Sequence, residues 1–151
     1  GTRVPLLVKW PGQVQAGSVC RTPVSSPDFY PTIHAMAGVP MDARQKVDGE
    51  ILLPLLKGAG GLNREELFWH YPHYGNQGGT PGASVRCGDW KLIEFFEDDR
   101  GELYNLREDE GEDRDLASAK PELARELSGK LHAWQASVAA VRPQRNPEWK
   151  A

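Results

Sequence analysis

A chain of 151 residues is long enough to bury the core of one ordinary domain, though 16 Gly and 12 Pro forecast short elements joined by many turns. Its formal net charge of −3 offers no basic face to nucleic acid, and no apolar run approaches the roughly 18 to 20 residues that cross a bilayer. Neither nucleic acid nor a membrane is therefore expected as a partner.

Arg3–Trp10 (RVPLLVKW) is a nearly continuous apolar run closed by Pro11-Gly12. It reads as a strand buried on both faces, of the kind found in parallel sheets. Gly1 leads straight into it without an initiator Met or a secretory leader, which reads as a start inside something longer. Ser25-Ser26-Pro27-Asp28 then supplies a hydroxyl N-cap, a first-turn proline and an acid at the positive helix end. The helix is expected over Pro27–Ala37, stopped by Gly38, with Phe29, Ile33, Met36 and Ala37 on one face. A shorter helix is expected over Glu50–Leu56, ended by Gly58, followed by a hinge-like connector at 58–66.

Beyond the connector the pattern turns antiparallel. Leu67–Tyr71, Ala83–Arg86, Trp90–Phe96 and Glu102–Asn105 are four short strand candidates, with tight and looser turns at Gly88-Asp89 and Glu97–Gly101. Arg107–Arg114 (REDEGEDR) reads as a solvated acidic loop and lacks the ligand rhythm of an EF-hand. Pro121 opens the clearest element, a helix in which Leu123, Leu127, Leu131, Trp134, Val138 and Val141 recur every three or four residues. Such a stripe is expected to dock over the four-stranded sheet, and Pro143 and Pro147 leave an extended tail over 143–151.

The stretch with functional colour is Leu67–Glu97, where two histidines and three aromatics (Trp69, Tyr71, Tyr74) precede a glycine-rich loop. Rigid hydrogen-bonding rings beside mobile backbone suggest a binding rim, with Trp69 and Tyr71 turned to the core and His70, His73 and Tyr74 turned outward. Cys20 and Cys87 are too far apart for a CxxC redox or zinc pair, and whether they form a disulfide stays open. His70 and His73 could be half of a zinc site only on a helix, which Pro72 disfavours, and no second pair completes a tetrahedron.

The strings RVPLLVKWPGQVQAGSV, TPVSSPDFYPTIHAMAGV, DGEILLPLLKG and LFWHYPHYGNQGGTPGASVRCGDWKLIEFFEDDRGELYNL, in this order, resemble the C-terminal part of the type I, formylglycine-dependent, arylsulfatase-like sulfatases. The resemblance runs from about Gly1 to about Trp134 and leans toward enzymes acting on sulfated sugars. It implies an α+β fold: the end of an alkaline-phosphatase-like α/β domain (one strand and a covering helix, residues 1–60), then a small four-stranded antiparallel sheet packed by a C-terminal helix (61–142). It implies hydrolysis of sulfate esters, a sulfated sugar or aryl sulfate as substrate, calcium and formylglycine as cofactors of the intact enzyme, and a periplasmic or extracellular location. His70, His73 and Tyr74 would face a sugar, and Arg86 an anionic sulfate or carboxylate.

The chain departs from that pattern in one respect. Cys20 sits in CRTPV and Cys87 in CGDWK, and neither reads C-x-P-x-R, the string that becomes formylglycine. Paired aspartates occur at Asp98-Asp99, in a turn. No catalytic or metal-ligating residue is therefore assigned, and the chain is expected to be inactive without an N-terminal catalytic domain as its partner. The alternative is a non-catalytic carbohydrate-binding or interaction module derived from a sulfatase. In that case Arg3–Trp10 would stand unpaired and invite self-association.

Overall fold

The computed structural model describes residues 2–76, 78–144 and 148, and the chain divides into two units, Gly1–Arg64 and Glu65–Ala151. The second unit is built on a meander of four antiparallel strands, β1 (Glu66–Tyr71), β2 (Gly82–Cys87), β3 (Trp90–Phe95) and β4 (Gly101–Asn105), adjacent in chain order. Each starts or ends within a residue of its sequence expectation. The β1–β2 ladder runs from Glu66 opposite Cys87 to Tyr71 opposite Gly82.

Strand alternation sends Ala83, Val85, Leu92 and Leu103 to one face, where none is more than 4% exposed. The last helix, α3 (Pro121–Ser137), lays Leu127 and Leu131 on them, and both are essentially inaccessible to water. Burying one such leucine contributes about 2 kcal/mol, so these few side chains decide whether the unit folds. Phe68 of β1 stacks on Trp134 with ring centroids 4.9 Å apart and planes 5° from parallel.

The α3 helix ends at Ser137, short of the predicted stripe, and Val138 and Val141 are exposed. Ala139 takes a left-handed conformation (φ 51°) that turns the chain, and Ala140 N–H donates to the Gln135 carbonyl at 2.9 Å. Residue 142 precedes a proline and is steered away from helical backbone. Of the expected tail at 143–151, residues 145–147 and 149–151 lie outside the described residues.

The acidic loop is only partly the solvated surface its composition predicts. Glu112 grips the ammonium of Lys91 at 2.6 and 2.9 Å, and Lys91 is only 7% exposed. A buried lysine needs such a partner, which explains why the loop folds back on the sheet. Backbone N–H groups of Arg114 and Asp113 hold the Asp109 carboxyl below its ordinary value.

The first unit has little sheet or apolar core to build on. A 3-10 turn at Ser26–Asp28 feeds helix α1 (Phe29–Ala37), which Gly38 ends in a left-handed conformation (φ 66°), as its sequence predicts. At the centre lies the carboxylate of Asp28, fully buried. It accepts the backbone N–H groups of Ser25 (2.7 Å) and Glu50 (2.9 Å) and the Arg64 guanidinium, whose Nη2 stands 2.5 Å from Oδ2. Thr32 adds a second tie, donating to the Asp28 carbonyl at 2.6 Å and accepting Leu52 N–H at 2.9 Å.

These ties correct one expectation. Because side chains of Asp28 and Thr32 capture the N–H groups of Glu50 and Leu52, the predicted helix over Glu50–Leu56 shrinks to α2 (Leu53–Leu56). The same closeness requires glycine at position 49, where a Cβ would collide with the Pro27 carbonyl. Glu50 then uses its own carboxylate to accept Asn63 and Arg64 N–H at 2.8 and 2.7 Å.

Arg3–Trp10 is the second correction. Among the described residues it forms no strand, and Val4 and Leu7 are 78% and 93% exposed. A run of this kind becomes a doubly buried strand only when neighbours supply ladders on both edges. Among the described residues no strand forms a ladder with it. The predicted face of α1 is likewise open, with Phe29, Ile33 and Met36 at 40%, 61% and 38% exposure.

Candidate binding rim

The β1–β2 connection, residues 72–81, projects beyond the end of the sheet, and its far end is pinned where Phe96 N–H donates to the Pro81 carbonyl at 2.9 Å. Within the loop, Gly78 N–H closes a turn on the Gly75 carbonyl at 3.2 Å. Gln77 lies outside the described residues.

Three exposed rings flank this loop. Tyr71 is 57% and Tyr74 70% exposed, and His73 stands edge-on to Tyr71 with centroids 5.4 Å apart. Tyr71 thus faces water and not the core, contrary to its sequence reading, while Trp69 is half-buried. Tyr74 donates its hydroxyl to Glu97 Oε1 at 3.3 Å. Lost hydration and the neighbouring carboxylate hold that hydroxyl above its usual pKa, so it remains a neutral donor. Two rings, an imidazole and a carboxylate on one loop corner can stack on a sugar face and hydrogen-bond its hydroxyls. Glu97 was missed in the sequence, since only the fold places the β3–β4 turn beside Tyr74.

His70 has a different environment. Nε2 lies 3.0 Å from the Val141 carbonyl and Nδ1 3.2 Å from the Gln135 amide nitrogen. Both contacts are satisfied by one tautomer, with the proton on Nε2 donated to the carbonyl and Nδ1 accepting from the amide. Phe96 packs beside the ring at 5.3 Å. His70 therefore ties β1 to the segment after α3, with both ring nitrogens engaged by protein groups.

Arg86 is also placed apart. It lies opposite Leu67, whereas His70 lies opposite Ala83, three residues along β2, so alternation puts the two side chains on opposite sheet faces. Its Nε donates to the Gly88 carbonyl at 3.0 Å. The structure brings His73 and Tyr74 to one corner with Tyr71 and leaves His70 and Arg86 outside it.

Burial pushes Cys87 above its ordinary pKa, which keeps it a thiol at neutral pH, and Cys20 is exposed. Both cysteines are free. Among the described residues no three His, Cys, Asp or Glu side chains converge to hold a metal ion.

Comparison with known proteins gives this geometry a family. The description "N-sulphoglucosamine sulphohydrolase, C-terminal" matches residues 1–137. A protein of Formosa agariphila named "Sulfatase" is 36% identical over 149 residues, covering 89% of this chain and 27% of its own length. A solved structure in complex with its substrate D-glucosamine-2-N,6-O-disulfate superposes with a TM-score of 0.61 and 28% identity, over 72% of this chain and 23% of that one. The phosphonate monoester hydrolase of Silicibacter pomeroyi does so at 0.66 and 26%, over 85% and 28%. The chain thus spans about a quarter of the length of these three relatives. With a four-stranded antiparallel sheet packed by a C-terminal helix and a family match over nearly its whole length, the chain belongs to the C-terminal part of the sulfatase family.

Proposed function

We propose that this chain is the C-terminal part of an enzyme hydrolysing sulfate esters of carbohydrates, to which it supplies a substrate rim and not the reacting groups. The observation that carries the reading is the exposed corner of Tyr71, His73 and Tyr74 beside a glycine-rich loop, in a family one of whose structural relatives holds a sulfated glucosamine. Tyr74 and His73 orient the sugar, and Glu97 holds the Tyr74 hydroxyl in place. The formylglycine nucleophile and calcium belong to a catalytic domain outside these residues, so no bond-breaking step is assigned to this chain.

The same reading accounts for the open apolar surface of the first unit. Val4, Leu7, Phe29, Ile33 and Met36 are the side chains a catalytic domain would cover, with Arg3–Trp10 completing one of its sheets. Left without that cover, the segment is a candidate for pairing with a second copy.

The test has two arms. The 151-residue chain with calcium is expected to give no turnover of an aryl sulfate above background, and clear turnover overturns its non-catalytic role. In a longer polypeptide from the same reading frame, turnover of a sulfated monosaccharide is expected, and His73→Ala should raise KM more than it lowers kcat. An enzyme that instead prefers an aryl phosphonate monoester would move the family member toward the chemistry of its Silicibacter pomeroyi relative.

A further inference from the structure

We propose that the second unit carries another ligand site, a cleft beside α3 that holds a sugar through one oxyanion, either a carboxylate or a sulfate ester. The cleft encloses about 350 Å3, within the range of small-molecule sites, and none of His70, His73 and Tyr74 lines it. The inference does not depend on the rim reading.

Its organising group is Glu94 of β3, whose side chain is 14% exposed. Oε1 accepts the Ser128 hydroxyl at 2.6 Å, while Oε2 faces His132 Nε2 at 2.8 Å and accepts Arg142 Nη2 at 3.0 Å. Ser128 and His132 stand one turn apart on α3, so a single carboxylate fixes both, together with the arginine that follows the helix. Both oxygens of Glu94 are thus engaged, and the carboxylate arranges donors more than it receives a ligand.

The spare donors of the cleft are the guanidinium N–H groups of Arg142 and Arg125. Among the described residues Arg142 bonds through Nη2, and its guanidinium, 45% exposed, lies 4.8 Å over the Phe96 ring. Arg125, 70% exposed, directs Nε to the Pro121 carbonyl and Nη2 to Glu122. Each guanidinium therefore has N–H groups available to a ligand, and planar guanidinium forks are matched by oxyanions. Ala117 and Ala124 form an apolar wall suited to the C–H face of a pyranose. The exposed carboxylate of Asp99 also lines the cleft and would oppose a second charge, which limits the ligand to one anionic group.

The test is an amide NMR titration of the 151-residue chain with glucuronate, glucose 6-sulfate, glucose and inorganic sulfate. Saturable shifts centred on Ser128, His132 and Gly101 are expected with the two charged sugars. Whichever binds tighter identifies the source of the oxyanion. Arg142→Gln should weaken binding about tenfold and Arg125→Gln about threefold, as expected for charge-assisted hydrogen bonds. Asp99→Asn, tolerated because asparagine accepts the left-handed backbone there (φ 55°), should tighten binding about threefold by removing the repulsion. Arg125 is exposed, so its replacement leaves the fold intact, which far-UV circular dichroism verifies. Glucose binding as well as glucuronate overturns the oxyanion, inorganic sulfate binding as well as either sugar overturns the saccharide, and shifts centred on residues 71–76 or unaltered by the variants overturn the site.

Discussion

In Glu65–Ala151, Ala83, Val85, Leu92, Leu103, Leu127 and Leu131 are buried against one another, and the charged groups lie around them. In Gly1–Arg64, Leu52 is buried, the centre is the carboxylate of Asp28 with its arginine, and large apolar side chains such as Leu7 and Ile33 face water. The second pattern is that of an element stapled into shape locally by polar bonds while its apolar surface stays open to water. The difference shows that hydrophobic content does not make a core by itself. A core needs two facing surfaces within one unit, and β2, β3, β4 and α3 supply them where the first 64 residues do not.

Substitutions can break this contrast. Leu131→Ala should cost about 4 kcal/mol, seen as a lower urea midpoint, because it opens a cavity between α3 and the sheet. Asp28→Asn should cost about 3 kcal/mol, confined to the first unit, by leaving the half-buried Arg64 without its counter-charge. Hydrogen exchange in Phe29–Ala37 would report it, with β2 and β3 unchanged. If Asp28→Asn instead loosened the sheet as much as the first unit, the stapling would not be local.

Acid should separate the units without mutation. Burial alone would raise the Asp28 carboxyl, but Arg64 and the N–H groups of Ser25 and Glu50 outweigh it and hold it below its ordinary value of 3.8. A lowered folded value means that the stabilisation is complete above pH 3.8 and is lost as pH falls through the lower, folded value. The first unit should therefore lose protection below that pH before the core of the second unit does. The smallest effects belong to the open surface. Leu7→Asp and Ile33→Glu should change stability by less than about 0.5 kcal/mol while lowering binding of an apolar dye, because neither side chain is packed.

How much of this was legible in the sequence follows the same division. Strands β1 to β4 and α3 announce themselves through period-two and period-3.6 patterns whose buried faces lie within the same unit. Arg3–Trp10 also shows an apolar pattern, but a doubly buried strand presupposes neighbours, and pattern alone cannot supply them. Glu50–Leu52 looked helical because nothing local reveals that Asp28 and Thr32, about 20 residues earlier, take their N–H groups. At the rim, His73 and Tyr74 were singled out from ring density beside glycines, whereas Tyr71 was assigned to the core. His70 reads like its neighbours until Gln135 and Val141 meet it from beyond α3. Glu94, Ser128, His132 and Arg142 left one faint signal, the hydroxyl and imidazole spaced four apart beside the leucine stripe of α3.

Amide hydrogen exchange of the 151-residue chain at neutral pH tests the central contrast most directly. The amides of β2 and β3 should be protected by several orders of magnitude more than those of Phe29–Ala37 and Leu53–Leu56, as only the former sit under a closed apolar core. Equal protection in both units would contradict the account, because the first 64 residues would then hold themselves together without a partner.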